Sequence, residues 1–545
     1  MRNPRRLRLA AGLLAIPLVI TACGGDSGDE GDKSGEEAAS GGEFSVYVCE
    51  PESLIPQNTN ETCGAEVLNA LFTPLVNFDP ETTEAQFGED VGNAHAVSIE
   101  SDDQTTWTVK IKDGWTFHNG EPVDAASYVR AWNAGALSTN AYGNSYFFEN
   151  IVGYDDLQAE EGAEPAATEM SGLKVVDDTS FTVQLKAPFS QFPLTLGYTA
   201  FYPLPESFTA DPKAYEEQPV GNGPFQMDGA WQHNQQISVK RFENFEGEPA
   251  KADAVQFKIY SDVNTAYNDF LGGNIDVMDD IPPEQIASAK TELGDRYLER
   301  ESSSFTYVGF PIYDERFADV DVRRAFSMAI DRQPIIDAIF DGAFTPAKSV
   351  VSPVVAGSRE DPCGENCAYD PEAAKQLLDE AGGFEGTLTL WFNSGAGHET
   401  WMEAVSNQLR QNLGIQDIEF KSLEFAEYLG LLDEQKVTGP FRLGWVMDYP
   451  SPQNYLEPLH STDGSSNNTG YSNEEVDSLI EEGNAAADIE AGIDFYNQAE
   501  DIILEEMPII PMWFGLVQAG HSERVDNVVI DAFDRINTAE ITVAQ

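Results

Sequence analysis

Residues 443–456 read Leu-Gly-Trp-Val-Met-Asp-Tyr-Pro-Ser-Pro-Gln-Asn-Tyr-Leu. One carboxylate, Asp448, closes an apolar run that carries its own tryptophan, Trp445. A carboxylate in such surroundings is costly unless a hydrogen-bond donor or a cation meets it. The residue types permit two answers. An Asp before Tyr-Pro readily caps a turn with its own side chain. Alternatively, something positive meets Asp448, which makes a buried charge tolerable.

The rest of the chain narrows the context. Its 545 residues exceed what one hydrophobic core serves, so two or more lobes are expected. A composition of 41% hydrophobic and 11% aromatic residues suffices for sizeable cores. Charge is the anomaly: 93 acids against 31 Lys and Arg give −62. Such a polyanion is repelled by nucleic acid, which is thereby excluded as a partner, and by anionic lipid surfaces. The acids are spread along the chain and read as a solvated surface. Self-repulsion on this scale needs screening, which points to a salty or calcium-rich exterior.

The first residues give the address. Arg2, Arg5, Arg6 and Arg8 precede a short apolar stretch, Leu9 to Ile20, that is too short for a permanent membrane helix. Residues 1–22 therefore read as a removable signal peptide. Thr21-Ala22-Cys23 places small residues directly before a cysteine and resembles the lipobox of bacterial lipoproteins, with Cys23 as the lipidated residue. Residues 23–42 are rich in Gly, Ser and acids without apolar periodicity, and are expected to be a disordered tether. The "GDSGD" inside it has no scaffold to make it a nucleophile site. Four cysteines remain, Cys49, Cys63, Cys363 and Cys367, and an even number in an oxidising compartment suggests two disulfides. Three pairings exist; proximity favours Cys49–Cys63 and Cys363–Cys367. The rival reading, zinc held by "CGENC", lacks a second ligand pair at the required spacing.

After the tether, strand-like and helical patterns alternate, which predicts an α/β architecture. "TTWTVKIKDGWTF" (105–117) alternates and turns at Asp113-Gly114, and reads as a hairpin. "FTVQLKAPF" (181–189) and "QISVKRF" (236–242) are similar strands. In "YDPEAAKQLLDEAGG" (369–383), Asp370 caps a helix, Pro371 suits its first turn and Gly382 its stop. "DVRRAFSMAIDRQPIIDAIF" (321–340) places Ala325, Phe326, Ala329 and Ile330 on one helical face, and Val405, Leu409 and Leu413 do the same before Gly414. No catalytic signature is present: no G-x-S-x-G, no H-E-x-x-H, no phosphate-cradling glycine loop and no dinucleotide fingerprint. Six scattered histidines add none.

Five segments occur in an order that resembles one family: "KDGWTFHNGEPVDAASYVRAWN" (112–133), "VGNGPFQM" (220–227), "DVRRAFSMAIDRQPI" (321–335), "YDPEAAKQLLDEAG" (369–382) and "LGWVMDYPSPQNYL" (443–456). The family is the family 5 solute-binding proteins, the oligopeptide- and dipeptide-binding lipoproteins of ABC importers. The resemblance implies an α/β fold of the periplasmic-binding-protein type, two lobes with a hinge and an additional small inserted domain. Lobe I is expected at 43–78, 215–305 and 516–545, the inserted domain at 79–214 and lobe II at 306–515, with crossings near Ser304 and Phe514.

The resemblance also implies a site. Asp448 falls on the acid that pairs with a peptide ligand's α-ammonium. Gly444, Trp445, Val446 and Met447 form the flanking strand, which would pair with an extended peptide through main-chain groups; Trp445 either stacks on the ligand or belongs to the core. Glu50 and Glu52 would lie on the opposite edge. Pro51 between them lacks an N–H and removes one strand-type bond. Arg442 and His398 match positions on the ligand's carboxylate side. Ser451 departs from the family's second acid. The expectation is a monomeric, non-enzymatic receptor with no cofactor, lipid-anchored on the extracellular face of the bacterial cell membrane, that passes peptides to an ABC permease. The alternatives are a nickel complex, an oligosaccharide or a signalling peptide on the same scaffold, or a secreted hydrolase.

Overall fold

Two strands of 13 residues, Tyr297–Gly309 and Ile509–His521, run antiparallel through the centre of the computed structural model, which describes residues 41–159, 163–394 and 396–544. The signal peptide, Cys23 and nearly all of the tether lie outside the described residues. The ladder between the two strands is interrupted from Glu301 to Phe305, at Ser302-Ser303-Ser304. On one side of this break the sheet continues through Val277–Met278, Glu43–Val48, Ala254–Ile259, Gln236–Arg241 and Phe225–Met227. On the other side it continues through Phe441–Trp445, Leu388–Asn393 and Ile418–Leu423. The fold is therefore two-lobed, and the two long strands cross between the lobes where a hinge was expected.

Strand direction positions everything that follows. Val277–Met278 and Tyr297–Gly309 are both antiparallel to Ile509–His521, so both point toward the second lobe. Glu43–Val48 and Ala254–Ile259 share that direction. In the second lobe Phe441–Trp445 runs back, antiparallel to Tyr297–Gly309, and Leu388–Asn393 and Ile418–Leu423 are parallel to it. The carboxyl ends of both sets of strands thus face each other across the hinge. Ligands of open α/β sheets bind outside those ends, because backbone and loops there are free to converge on them.

The inserted region holds its own antiparallel sheet, in the order Ala96–Glu100, Thr106–Ile111, Ser180–Gln184, Leu173–Asp177. The alternation of "TWTVKI" buries Trp107, Val109 and Ile111 on one face. Helix Ala125–Ala136 adds Tyr128 and Trp132, and Trp132 meets Phe181 and Phe201 edge-on at 5.3 and 5.1 Å. One expectation is corrected here. Gly114 does turn, with φ +85°, but 115–117 does not fold back on Thr106–Ile111. Both edges of that strand are already taken by Ala96–Glu100 and Ser180–Gln184, so Phe117 closes a small turn with Glu121 instead.

Helix punctuation follows the sequence. Asp370 accepts the Ala373 N–H at 2.9 Å and starts Pro371–Glu380, which gives way to Gly382 at φ +100°. The pattern over 321–340 resolves into two helices, Val320–Met328 and Arg332–Ile339, although Ala325, Phe326, Ala329 and Ile330 are all buried as expected. Cys49 is bonded to Cys63 and Cys363 to Cys367, with Cα separations of 5.4 and 5.6 Å.

Candidate functional site

Strand Phe441–Trp445 is paired with Phe305–Gly309 along one side. Its other side meets Leu388–Asn393 only at Phe441, so the chain beyond it leaves an edge open. Val446 lies on this stretch and is 47% exposed, whereas Met447 is buried. An open edge offers alternating N–H and C=O groups to an added strand. Gly444 belongs here for a steric reason: a Cβ would lie 3.0 Å from the Phe305 carbonyl oxygen and 3.3 Å from the Arg442 guanidinium.

Asp448 follows directly. Its carboxylate Oδ2 accepts from Asn454 Nδ2 at 3.0 Å, and Asn454 Oδ1 accepts in return from the Asp448 N–H at 2.9 Å and Trp445 Nε1 at 3.2 Å. Asn454 therefore fixes both the aspartate and the indole. Among the described residues no backbone N–H donates to the Asp448 side chain and no cation pairs with it. The turn-cap reading thus has no bond to support it; helix Gln453–His460 begins instead with Ser451 Oγ, which accepts the Gln453 N–H. Burial pushes the Asp448 carboxyl up to about 6, and the Asn454 bond offsets this only in part.

Asp448 and Trp445 line a cavity of about 330 Å³ together with Tyr146, Phe147, Tyr449 and Glu457. Phe147 stacks on Tyr146 and on Tyr198, each at 4.4 Å between ring centres. After desolvation, the charge of Asp448 is the largest cause holding the Tyr146 and Tyr198 hydroxyls up, so this aromatic wall of the inserted domain faces it. Sequence reading missed Asn454 and these rings. The aromatic-rich "YGNSYFFEN" (142–150) was the available signal, without anything to place it near residue 448.

Arg442 and His398 form the second group. Arg442 makes no ion pair among the described residues; Nη1 donates to Asn393 Oδ1 at 3.4 Å and Nε is buried without a partner. Desolvation of this partly buried guanidinium lowers its pKa. His398, at the start of helix His398–Asn412, accepts from Trp401 Nε1 at 3.2 Å. Burial first, and then the Arg442 charge, push it down to about 4, so it is neutral at physiological pH.

The first-lobe residues are differently engaged. Glu50 accepts from His233 Nδ1 at 2.8 Å and the Asn234 N–H at 2.7 Å. Glu52 is exposed, and its N–H donates to Glu61 at 3.2 Å. Both follow strand Glu43–Val48 at the edge facing the second lobe, and no hydrogen bond joins either to Asp448. Ser451, where a second acid was expected, is buried and donates to Gln191 at 2.9 Å, tying the second lobe to the inserted domain.

Residues 91–467 match the family model described as bacterial extracellular solute-binding proteins, family 5, middle region. Oligopeptide-binding protein OppA of Bacillus subtilis (strain 168) is 26% identical over 533 residues, covering 94% of each chain. Heme-binding protein A of Haemophilus influenzae is 25% identical over 569 residues, covering 97% of each. The solved structure of the Escherichia coli murein tripeptide binding protein MppA superposes with a TM-score of 0.76 at 22% identity, over 93% of this chain and 99% of that one.

Proposed function

The chain belongs to family 5 of the bacterial extracellular solute-binding proteins, and from that premise we propose that it captures peptides between its lobes and delivers them to an ABC permease while anchored to the membrane through lipid on Cys23. The observation that carries the peptide reading is Asp448: a partly buried carboxylate beside an open strand edge, held by Asn454 and without a cation partner among the described residues. A peptide supplies both missing parts, an ammonium for Asp448 and a backbone for the edge. Arg442, six residues earlier and without an acid among the described residues, suits the ligand's carboxylate. Glu50 and Glu52 remain candidates on the opposite edge, where Glu50 would have to leave His233. The proposed division is lobe I at 43–78, 215–305 and 516–545, the inserted domain at 79–214 and lobe II at 306–515.

Mass spectrometry of ligand released from gently purified protein tests the assignment. Short peptides with free amino termini, returned uncleaved, are expected; a haem, a sugar or a metal complex in their place would refute it.

The raised Asp448 pKa has a pH consequence. Its folded value, about 6, exceeds the ~3.9 of a free aspartate. The ligand-free fold therefore gains from protonation at low pH, and this contribution is lost as pH rises through about 6. An ammonium requires the ionised form, so affinity for free peptides should rise about tenfold from pH 5 to pH 7 and fall again as the peptide's own ammonium deprotonates at pH ~8. Titration calorimetry at three pH values measures this, and a flat profile would separate Asp448 from binding. Anchoring has its own test. Cys23→Ala should release the protein into the medium, whereas two acyl chains hold it durably; membrane retention at wild-type levels would show another anchor.

A further inference from the structure

The inserted domain is rooted in lobe I and meets lobe II beside the Asp448 turn. Its root is buried: Gln57 Nε2 donates to the carbonyls of Ala200 and Tyr202 at 3.1 and 2.9 Å, and Asn144 Nδ2 donates to those of Pro56 and Thr59 at 3.1 and 2.8 Å. On the far side Ser190 and Gln191 reach into lobe II. The Ser190 N–H donates to the Asn484 carbonyl at 2.7 Å, and its Oγ donates to that of Gly483 at 3.3 Å. Gln191 Nε2 donates to Ser190 Oγ at 3.1 Å, and Gln191 Oε1 accepts from Ser451 Oγ at 2.9 Å. Helix Glu474–Asn484 ends at this contact. A helix leaves its last carbonyls without an intrahelical donor, and Ser190 supplies one from another domain.

Ser451 carries this contact to the ligand site. Its Oγ accepts the Gln453 N–H at 3.2 Å and its carbonyl accepts the Asn454 N–H at 3.1 Å, so it shapes the turn that joins Asp448 to its clamp. Gln453 Nε2 donates to Glu457, and Asn484 Nδ2 donates to the same carboxylate at 3.0 Å. Gln453 Oε1 accepts from the Tyr449 hydroxyl, and Asn484 Oδ1 accepts from that of Tyr496 at 2.8 Å. The bonds close a ring through Ser451, Gln453, Glu457, Asn484, Ser190 and Gln191. Ser190, Gln191, Ser451 and Gln453 are all buried, and none of the ring's buried side-chain atoms lacks a partner. A buried polar network rigidifies a fold when every member is satisfied, and this one is satisfied only while the inserted domain sits on lobe II. Glu50 and Glu52, at the cleft edge of lobe I, bond within lobe I and make no such bridge.

We propose that Ser190 and Gln191 are positioning residues for binding: they form a clasp that locks the inserted domain onto the Asp448 turn when the cleft closes, and so set how long a ligand is held without touching it. For the ligand this rests on the peptide reading above. Tyr146 and Phe147 line the Asp448 cavity from the inserted domain, and Trp445 and Asp448 line it from lobe II. A ligand between these walls leaves when they part, and parting them breaks the clasp. The clasp exists only in the closed arrangement, so it favours that arrangement by its own stability. It contains no ligand atom, and its contribution is therefore the same for every ligand.

The test is the release of radiolabelled trialanine, chased with unlabelled peptide, from the wild type, Ser451→Ala, Gln191→Ala and the double variant, with equilibrium dialysis supplying the association rate. Either single variant should release trialanine about tenfold faster, as expected for one buried hydrogen bond, with association unchanged. The double variant should be no faster than the singles, because both remove the same bond. A merely structural role would lower the melting temperature and leave release alone. Release at the wild-type rate overturns the clasp, as does a loss confined to association or a double variant whose effect is the product of the singles. Hydrogen exchange of the Ser190 amide in the ligand-free protein reads the clasp without any ligand: it should be about tenfold faster in Ser451→Ala, and unchanged exchange overturns the clasp. A wild type that does not hold trialanine overturns the peptide reading, and the Ser190 exchange then decides the clasp by itself.

Discussion

Asp448→Asn is expected to weaken peptides with a free amino terminus by a hundred- to several-thousand-fold. The magnitude follows from isolating one charge: breaking a buried ion pair costs on the order of 3–5 kcal/mol. The substitution keeps the side-chain shape, and an amide oxygen can still accept from Asn454 Nδ2, which now bonds Asp448 Oδ2 at 3.0 Å. Desolvation already disfavours the ionised form in the empty protein, so the melting temperature should stay constant or rise slightly. N-acetylated peptides lack the ammonium; they should bind the wild type poorly and lose little more in the variant. Calorimetry of two peptides against two proteins closes a double-mutant cycle. A coupling near zero would mean that Asp448 meets only Asn454.

A second large effect concerns stability rather than binding. Glu500, on helix Ile489–Glu506, is 1% exposed and bonds Arg359 Nη2 at 2.7 Å, the Val350 N–H at 3.1 Å and Ser349. Arg359→Met leaves that charge in place with two neutral donors. Removing one member of a buried pair typically costs about 3–5 kcal/mol, whereas replacing both by apolar groups is often nearly neutral. Arg359→Met should therefore lower stability in urea by about that amount, and Arg359→Met/Glu500→Met should recover most of it. A single-variant loss below ~1 kcal/mol would show Arg359 behaving as a surface ion, its contact with Asp501 included.

Local rules written in the sequence carried far. Asp370 capping its helix, the buried face Ala325-Phe326-Ala329-Ile330 and the alternation of Thr106–Ile111 follow from patterns within a few residues, and the two disulfides join cysteines only 14 and 4 positions apart. The order of five segments indicated the two-lobed fold and drew attention to Asp448 before any contact was known. The hairpin at Asp113-Gly114 failed for the complementary reason. A strand's partner is chosen by competition among all available edges, and the preceding strand Ala96–Glu100 and the distant Ser180–Gln184 won.

The site divides along the same line. Sequence supplied Asp448, Trp445, Arg442 and His398, because residue type and motif mark them. It could not supply Asn454 as the clamp on Asp448, nor the Tyr146–Phe147–Tyr198 wall more than 200 positions away, nor the diversion of Glu50 to His233. It also could not join Gln191 to Ser451, 260 positions along the chain. Whether a carboxylate is solvated, paired or left wanting depends on what long-range packing sets beside it, and only the tertiary structure decided that.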